Sequence, residues 1–300
     1  MIDSVIYGDS IELVKDIEDN SIHAIISDIP YGIGFAEWDV LHNNKNSAYG
    51  GASAAQIKAG GMFKRRGKPL NGWSDADKDI PKQYQKWCSS WAPDWLRILK
   101  PGGSCLIFAG RQYSHRCIVA LEDSGFTFKD MLAWEKPSAP YRAQRLSAIF
   151  ERRNDVFNTE KWSGWRVANI RPLFEPILWF QKPYRIGGTI TDNVIEHGVG
   201  AWNELAFKQY NVVDDNRKLS NILKVQITEN DHGKHVTQKP LGLMEMLVSL
   251  VTTEDQVILD PFMGSGTTCV AAKKLGRHYI GIDINEENID IAKKRIYEER

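Results

Sequence analysis

The sequence lacks several patterns that would place it in other classes of protein. Its four cysteines stand apart, with no Cys-x-x-Cys pair, which argues against a zinc cluster and against a disulfide framework. No apolar run approaches the roughly 18 residues of a transmembrane helix. The first residues show no basic segment followed by an apolar core, so a signal peptide is not expected. Together these absences predict a cytoplasmic protein without a metal site and without a membrane partner.

Charge of either sign is also not in excess. Lys and Arg together number 38, as do Asp and Glu, so the formal net charge is zero. A polyanionic partner is therefore neither indicated nor excluded, because a local basic patch is enough to bind one. With 42% apolar and 25% charged residues, the composition is that of a globular protein. The length of 300 residues is compatible with one domain over residues 1–300.

The C-terminal part has the pattern of a parallel α/β unit. Residues 256–262 (QVILDPF) form a β-branched run that ends at an acid and a proline, and this predicts a buried strand. The glycine turn MGSGTT follows, then a helical stretch that stops near Gly276. Residues 278–284 (HYIGIDI) predict the next strand, and Asn285 is placed to cap a final helix. This order predicts a parallel sheet with helices on both faces.

The remainder of the chain continues this pattern, with three interruptions. The apolar runs in SVIYGD, SIHAIIS, GSCLIFAG, TFKDMLAWEK and PILWFQK bring the strand candidates to about seven. Residues 35–83, 137–172 and 183–233 are long and weakly periodic. Long irregular segments inside a compact domain are usually functional loops. The prediction is therefore an α/β domain with three insertions.

The glycine turn predicts a ligand site. Gly264 and Gly266 leave the backbone open to a ligand above the N-terminus of the following helix. Asp283 ends the next strand, about 20 residues beyond the turn, where an acid commonly binds ribose hydroxyls. No Gly-Lys-Ser/Thr ending follows, so a phosphate-binding P-loop is not predicted. Asp260 beside the turn suits a ligand with a positively charged amino group better than a pyrophosphate.

A second motif, SDIPYG (residues 27–32), follows an N-terminal strand candidate. Pro30 fixes its own φ and restricts Ile29 to extended conformations, so the Ile29 carbonyl has a defined direction. Asp28 offers a second acceptor and Tyr31 an aromatic face. Two acceptors beside an aromatic face can hold a planar ring that carries an NH₂ group. For this tetrapeptide alone, an ordinary turn with a packed tyrosine is the alternative.

The two motifs together resemble those of the S-adenosylmethionine-dependent amino-methyltransferases of DNA. The family's tetrapeptide is usually Asp/Asn/Ser-Pro-Pro-Tyr/Phe/Trp, so Ile29 departs from it at the second position. The stretches LKPGGSCLIF, LAWEKP, FEPILWFQKP and HVTQKPLGLMEMLV are also similar to family blocks, although Val236 replaces a proline of the last. Because the tetrapeptide precedes the glycine motif, the order resembles that of the permuted, or beta, group. The resemblance implies a circularly permuted, Rossmann-like methyltransferase sheet with irregular DNA-recognition insertions.

The resemblance also implies roles for residues at matching positions. Asp28 and the Ile29 carbonyl, aimed by Pro30, would accept hydrogen bonds from the target amine. Tyr31 would stack on a base flipped out of double-stranded DNA. In S-adenosylmethionine, the adenine amine would be bound by Asp9 and the ribose by Asp283. The amino group would be bound by Asp260, and the carboxylate by Thr237 and Lys239. The remaining residues that line the cofactor site would be Phe262, Gly264, Gly266 and Thr267. For Asp9 and Lys239, a helix cap and a surface charge are the alternatives.

Residues 137–172 are candidates for DNA contact because they are basic and aromatic. Seven basic residues stand against three acidic ones, with aromatic residues between them. Basic groups neutralise phosphates, and Arg also reads guanine edges. The predicted DNA-contact residues are Arg142, Arg145, Arg152, Arg153 and Arg166. The alternative for this segment, and for a second basic run at residues 64–68, is a solvated charged face. Residues 183–233 are the candidate target-recognition region.

The predicted activity is sequence-specific methyl transfer to the exocyclic N6 of adenine in DNA. Methylation of cytosine C5 is not predicted, because it needs a cysteine nucleophile, typically after a proline, and no cysteine here follows one. Cytosine N4 remains open, although Asp28 favours adenine, since the cytosine enzymes more often carry Ser there and Ser27 lies one place early. A non-catalytic nucleic-acid-binding relative is the alternative of another class. The group's members are often dimers, so a homodimer is a candidate assembly, and a cognate restriction endonuclease is a candidate partner.

Overall fold

The computed structural model describes residues 1–32, 75–139, 143–211, 219–225 and 238–298. Most of the predicted insertion at 35–83, the basic run at 64–68, Arg142 and Thr237 lie outside the described residues. In the part of the chain that is described, no helix is long and apolar enough to cross a membrane.

Strands and helices alternate along the described chain. The N-terminal part runs β1 (Ser4–Tyr7), α1 (Ser10–Leu13), a 3-10 turn (Val14–Asp16), β2 (Ile22–Asp28), α2 (Asp75–Ile98), β3 (Leu99–Phe108), α3 (Ser114–Asp123) and β4 (Thr127–Glu135). The middle part contains β5 (Gln144–Arg145), α4 (Leu146–Glu151), α5 (Val156–Lys161), β6 (Arg166–Val167), β7 (Phe174–Gln181), α6 (Ile190–His197), α7 (Glu204–Tyr210) and β8 (Ile222–Leu223). The C-terminal part runs α8 (Leu241–Val251), β9 (Val257–Asp260), α9 (Thr267–Lys274), β10 (His278–Asp283) and α10 (Glu286–Glu298).

One mixed sheet organises these elements. Its eight strands lie in the order β1-β10-β9-β2-β3-β7-β4-β8. The first five are parallel, whereas β7 runs antiparallel to both β3 and β4. The predicted α/β sheet is confirmed, with eight strands in place of about seven. The additional strand, β8, has two residues, and such a strand leaves almost no periodic signal because it is defined by pairing with the distant β4.

Helices cover both faces of the sheet, as the strand pattern predicts. Side chains from α8, α9 and α10 pack with Ile26 and Phe108 on one face, while side chains from α2 and α3 pack with Ile25 and Ile107 on the other. Adjacent residues such as Ile25 and Ile26 point to opposite faces because side chains alternate along a strand. The strands are therefore apolar throughout, which is typical of a sheet buried on both sides.

Helix α2 is the main element that the sequence prediction missed. It spans 24 residues and takes in Pro81 and Pro93, and the prolines argue locally against a helix. The helical signal was nevertheless present, since the buried residues Tyr84, Cys88, Trp91, Trp95 and Ile98 recur at helical spacing. The insertion predicted at 35–83 is therefore corrected at its end, because the chain is helical from Asp75.

The other two insertions also contain short regular elements. Segment 137–172 includes the small β5-β6 ribbon and helices α4 and α5. Segment 183–233 includes α6, α7 and β8. Their assignment to DNA contact and target recognition stays a prediction.

Candidate active site

The two motifs meet at the carboxyl ends of neighbouring strands. β2 and β9 are parallel, with Ala24 beside Ile258 and Ile25 beside Leu259. From β9 the chain continues to β10 on one side, and from β2 it continues to β3 on the other. Ligands of open α/β sheets bind at such a reversal of strand order. The tetrapeptide and the glycine turn therefore share one edge of the sheet.

Asp260 connects the two motifs through buried hydrogen bonds. Ser27 Oγ donates to its Oδ1 at 2.7 Å, Thr268 Oγ1 to its Oδ2 at 2.5 Å, and the Phe262 backbone N–H to Oδ1 at 3.2 Å. Burial raises the pKa of Asp260 to about 7, although these donors favour the ionised form. Asp260 thus organises the strand end and the turn, while its predicted contact with a ligand amino group stays a prediction.

The two glycines of the turn serve different purposes. Both have positive φ, 52° at Gly264 and 77° at Gly266. A Cβ on Gly266 would lie 2.7 Å from the Ala292 Cβ, so this glycine lets α10 pack closely. A Cβ on Gly264 would meet nothing within 4 Å among the described residues. Gly264 therefore leaves open space at the turn, where the sequence places a ligand. Thr267 begins α9, and its buried hydroxyl accepts a hydrogen bond from Arg295 at 3.0 Å.

Asp283 stabilises the turn from the end of β10. Its Oδ2 accepts the Gly264 N–H at 2.9 Å, and its Oδ1 accepts from the Asn285 N–H at 2.8 Å and from Asn288 Nδ2 at 3.0 Å. Asp9 is close along the same edge, because the Gly8 N–H donates to the Asp283 carbonyl at 3.0 Å. The Asp9 side chain caps α1 by accepting the Ile11 N–H at 2.9 Å, and its predicted contact with the adenine amine stays a prediction.

An aromatic surface stands beside the glycine turn. The half-buried Phe262 ring lies 5.7 Å from Trp87 and 6.1 Å from Trp95, both on α2. Trp87 is only partly buried and was not among the predicted site residues. It escaped notice because helix α2 itself was missed.

The tetrapeptide lies in a cluster of charged groups. Tyr31 Oη donates to Asp28 Oδ1 at 2.8 Å and also contacts Glu175 Oε1. Lys239 Nζ donates to Asp28 Oδ2 and lies 3.1 Å from Glu175 Oε1. Lys136 Nζ lies 3.2 Å from Glu175 Oε2. Two carboxylates and two ammonium groups therefore balance in charge around one phenol.

The cluster sets the protonation of its members. Burial raises the pKa of Asp28, and Lys239 opposes this shift. Burial would also raise the pKa of Glu175, but Lys239 and Lys136 outweigh it and the pKa falls to about 2. Burial lowers the pKa of Lys239, yet Asp28 and Glu175 bring it above its usual value. Lys239 is therefore an ammonium group held between two acids.

Tyr84 and Gly110 hold the tetrapeptide in place. Ile29 is buried, and Tyr84 Oη donates to the Pro30 carbonyl at 3.2 Å. A Cβ on Gly110 would lie 2.8 Å from the Tyr31 Cβ, so that glycine makes room for the tyrosine. The roles of the Ile29 carbonyl and of Tyr31 stacking stay predictions.

The predicted site residues lie in different parts of the structure, and two residues of the charged cluster were not predicted. Lys239 lies against Asp28 of the tetrapeptide, and its predicted contact with the cofactor carboxylate stays a prediction. Glu175 and Lys136 were missed, although an acid inside the apolar stretch FEPILWF is an unusual feature that could have been noticed. The described DNA candidates are all exposed on the β5–β6 segment: Arg145, Arg152, Arg153 and Arg166.

The fold and the site together define a DNA methyltransferase. A family model described as DNA methylase, of the N6/N4 type, matches residues 22–294, and the chain belongs to this family. The Type II methyltransferase M.HindIII of Haemophilus influenzae is 60% identical over 296 residues, which cover 99% of this chain and 96% of that protein. The chain is therefore an enzyme similar to those of restriction-modification systems.

Solved structures support the same fold. The M1.HpyAVI–SAM complex is 22% identical with a TM-score of 0.54, and the match covers 98% of each chain. The cytosine-N4-specific PvuII DNA methyltransferase is 18% identical with a TM-score of 0.59, covering 97% of this chain and 85% of that one. At these identities the likeness establishes the fold alone, and the first of the two carries the cofactor predicted here.

Proposed function

We propose that this enzyme transfers a methyl group from S-adenosylmethionine to the exocyclic N6 of adenine, at a specific sequence in double-stranded DNA. The observation that carries the proposal is the position of the Asp28 carboxylate. It stands at the carboxyl end of β2, one strand from the glycine turn that follows Asp260. An acceptor for an amine and a site for a methyl donor thus adjoin at one edge of the sheet.

The residues around the glycine turn fit S-adenosylmethionine. Gly264 leaves open space at the turn that precedes α9, and backbone N–H groups at a helix start attract polar ligands. The ring of Phe262, with Trp87 beside it, provides an apolar surface for the adenine. We assign the ribose to Asp283 and the amino group to Asp260, the two acids that flank the turn. When bound, this cofactor supplies a methyl group already activated by its sulfonium.

Asp28 and Tyr31 prepare the target amine. An exocyclic amine is a poor nucleophile because its lone pair is delocalised into the ring. Asp28 and the Ile29 carbonyl accept its N–H groups and orient the nitrogen, so that catalysis is mainly positioning and electrostatics. Tyr31 stacks on the flipped base, worth about 1–3 kcal/mol, which offsets part of the cost of unstacking.

The surroundings of Ser27 support adenine over cytosine. Ser27 is buried and its hydroxyl donates to Asp260 at 2.7 Å. It is therefore engaged toward the cofactor strand, and Asp28 holds the position at which the cytosine enzymes more often carry Ser. Cytosine N4 is kept as the alternative outcome of the experiment below.

DNA binding is assigned to the exposed β5–β6 segment. Phe157 and Trp165 are 71% and 61% exposed there, close in sequence to the exposed arginines. Arginines neutralise phosphates, and exposed aromatic rings stack on bases. The likeness to a Type II methyltransferase supports a cognate restriction endonuclease as partner, and a homodimer stays a prediction.

Product analysis tests the proposal. The enzyme is incubated with duplex DNA and isotopically labelled S-adenosylmethionine, and the DNA is digested to nucleosides for mass spectrometry. Labelled N6-methyldeoxyadenosine is the expected product. Labelled N4-methyldeoxycytidine would move the assignment to cytosine, and no labelled nucleoside would favour a non-catalytic DNA-binding relative.

A further inference from the structure

We infer that Lys239 and Glu175 are positioning residues for methyl transfer, which hold the Asp28 carboxylate in the orientation that receives the target amine. The inference rests on the proposed function and deepens it. It also moves Lys239 from the cofactor carboxylate, where the family resemblance had suggested it, to the nucleophile side of the site.

Lys239 uses the full donor capacity of an ammonium group inside the cluster. Its Nζ contacts Asp28 Oδ2, Glu175 Oε1 at 3.1 Å and Tyr31 Oη at 3.3 Å. An ammonium has three N–H donors, and three acceptors surround it here. The Nζ also lies 4.9 Å from the Phe108 ring centroid, a cation–π distance. Its side chain is 10% exposed, so this cation is directed into the site.

Glu175 fixes this lysine from the opposite side. It lies near the start of β7, and its register partner Trp134 is on β4. Glu175 Oε2 is held by Lys136 at 3.2 Å, while Oε1 faces Lys239 and Tyr31. The carboxylate is thus anchored before any substrate arrives, and it orients both groups that contact Asp28.

The arrangement allows the amine to enter without leaving a polar group unpaired. A phenol has one proton, so Tyr31 can donate to only one of its two carboxylate neighbours at a time. If Tyr31 donates its proton to Glu175, Asp28 Oδ1 is free to accept a hydrogen bond from the target amine, while Lys239 still donates to Oδ2. The exchange avoids the cost of a buried unsatisfied group.

Charge makes the two residues distinguishable by experiment. The groups that face Asp28 are Lys239 with the opposite charge, Glu175 with the same charge, and the phenol of Tyr31, while Lys136 lies behind Glu175. Asp260 is also near, and burial raises the pKa of its carboxyl to about 7, so it adds negative charge only above that pH. Loss of Lys239 makes ionisation of Asp28 harder, whereas loss of the Glu175 charge makes it easier. The two changes should therefore move the pH dependence of methyl transfer in opposite directions.

The test compares Lys239→Met and Glu175→Gln in kcat–pH profiles measured with saturating DNA and S-adenosylmethionine. For Lys239→Met we expect the acid limb to move up by about one pH unit, and kcat at pH 7.5 to fall by about 100-fold. Calorimetry should show S-adenosylmethionine affinity within about threefold of wild type. For Glu175→Gln we expect the acid limb to move down.

Three further variants separate charge, geometry and folding. Lys239→Arg keeps the charge, so the acid limb should stay at its wild-type pH while kcat falls. This variant replaces Lys239→Met in the test if the methionine variant does not fold. Lys294→Met and Glu298→Gln remove an exposed pair on α10 and are the matched controls, expected to behave as wild type.

Two results would overturn the inference. One is loss of S-adenosylmethionine binding in Lys239→Met, which would return this lysine to the cofactor. The other is an acid limb that stays in place, or moves the same way, in both variants. The product of the wild-type enzyme tests the proposed function separately. N4-methylcytosine would overturn the adenine assignment, and the acid limbs of the two variants would still test the positioning roles of Lys239 and Glu175. The absence of any methylated base would overturn both the proposed function and these positioning roles.

Discussion

The two halves of the active site are built in opposite ways. The glycine-turn half is mainly local: the Thr268–Asp260 and Gly264–Asp283 hydrogen bonds lie within one strand-turn-helix-strand unit, and Ser27 joins Asp260 from the other half. The tetrapeptide half is assembled from distant segments, since Asp28 is joined to Lys239 and, through Tyr31, to Glu175. A local unit leaves its signature in one stretch of sequence, whereas a cluster of opposite charges does not.

The largest expected effect breaks the tetrapeptide half alone. Asp28→Asn keeps the shape of the side chain and removes the charge that attracts the amine N–H groups. We expect kcat to fall by at least about 10³-fold, with S-adenosylmethionine affinity within about threefold by calorimetry. An equal loss of cofactor affinity would show that the two halves do not work separately.

The next effect concerns the buried carboxyl that joins the halves. The folded pKa of Asp260 is about 7, above the unfolded value near 4, so the folded chain holds a proton between these values that the unfolded chain has lost. Its contribution to stability is therefore lost as pH rises from about 4 to 7. Asp260→Asn removes that loss, and we expect the variant to gain up to about 3 kcal/mol over wild type between pH 4.5 and 7.5.

A neighbouring histidine supplies the internal control for that measurement. Burial lowers the pKa of His23 to about 4, and its neutral Nδ1 accepts the Val257 N–H at 3.0 Å. The contribution of His23 to folding stability is fully present above about pH 6.5 and is lost as pH falls toward 4. Its pH dependence is therefore opposite in sign to that of Asp260. Urea unfolding of Asp260→Asn across this range should thus show stability rising more steeply with pH than in wild type. A flatter profile would contradict the assignment.

The two glycines give a smaller effect that sharpens the glycine-turn half. Gly266→Ala meets Ala292 and a positive φ, so we expect a loss of about 2–3 kcal/mol in unfolding free energy. Gly264→Ala has open space and should lose only about 1–2 kcal/mol from its φ, but it should bind S-adenosylmethionine at least about tenfold more weakly. Equal cofactor affinities in the two alanine variants would contradict this division.

The smallest expected effect concerns the aromatic surface. Phe262→Leu keeps an apolar side chain but removes the ring face, and the affinity for S-adenosylmethionine should fall by about 3–10-fold, with kcat at saturating cofactor unchanged. Phe128→Leu is the matched control, since Phe128 on β4 packs against the Phe180 ring on β7. Unchanged cofactor affinity in Phe262→Leu would remove this ring from the site.

The differences between prediction and structure follow the same division. The strands, the glycine turn and the C-terminal helices were predictable because apolar periodicity and turn residues are local signals. Helix α2 was missed despite a clear apolar stripe from Tyr84 to Ile98, since the two prolines and the long, weakly periodic sequence before it obscured the pattern. The two-residue strand β8 carried no comparable signal, because pairing alone defines it.

The sequence by itself determined the α/β class, the family and the two motifs, because each depends on neighbouring residues. Only the tertiary structure decided which charges surround Asp28. Glu175 reaches the cluster from β7, which β3 separates from β2 in the sheet, and Lys239 reaches it from the residues just before α8, so both charges come from segments distant from Asp28 in the chain. Charge pairs across such distances leave no periodicity, and their effect on protonation arises only when folding removes the water between them.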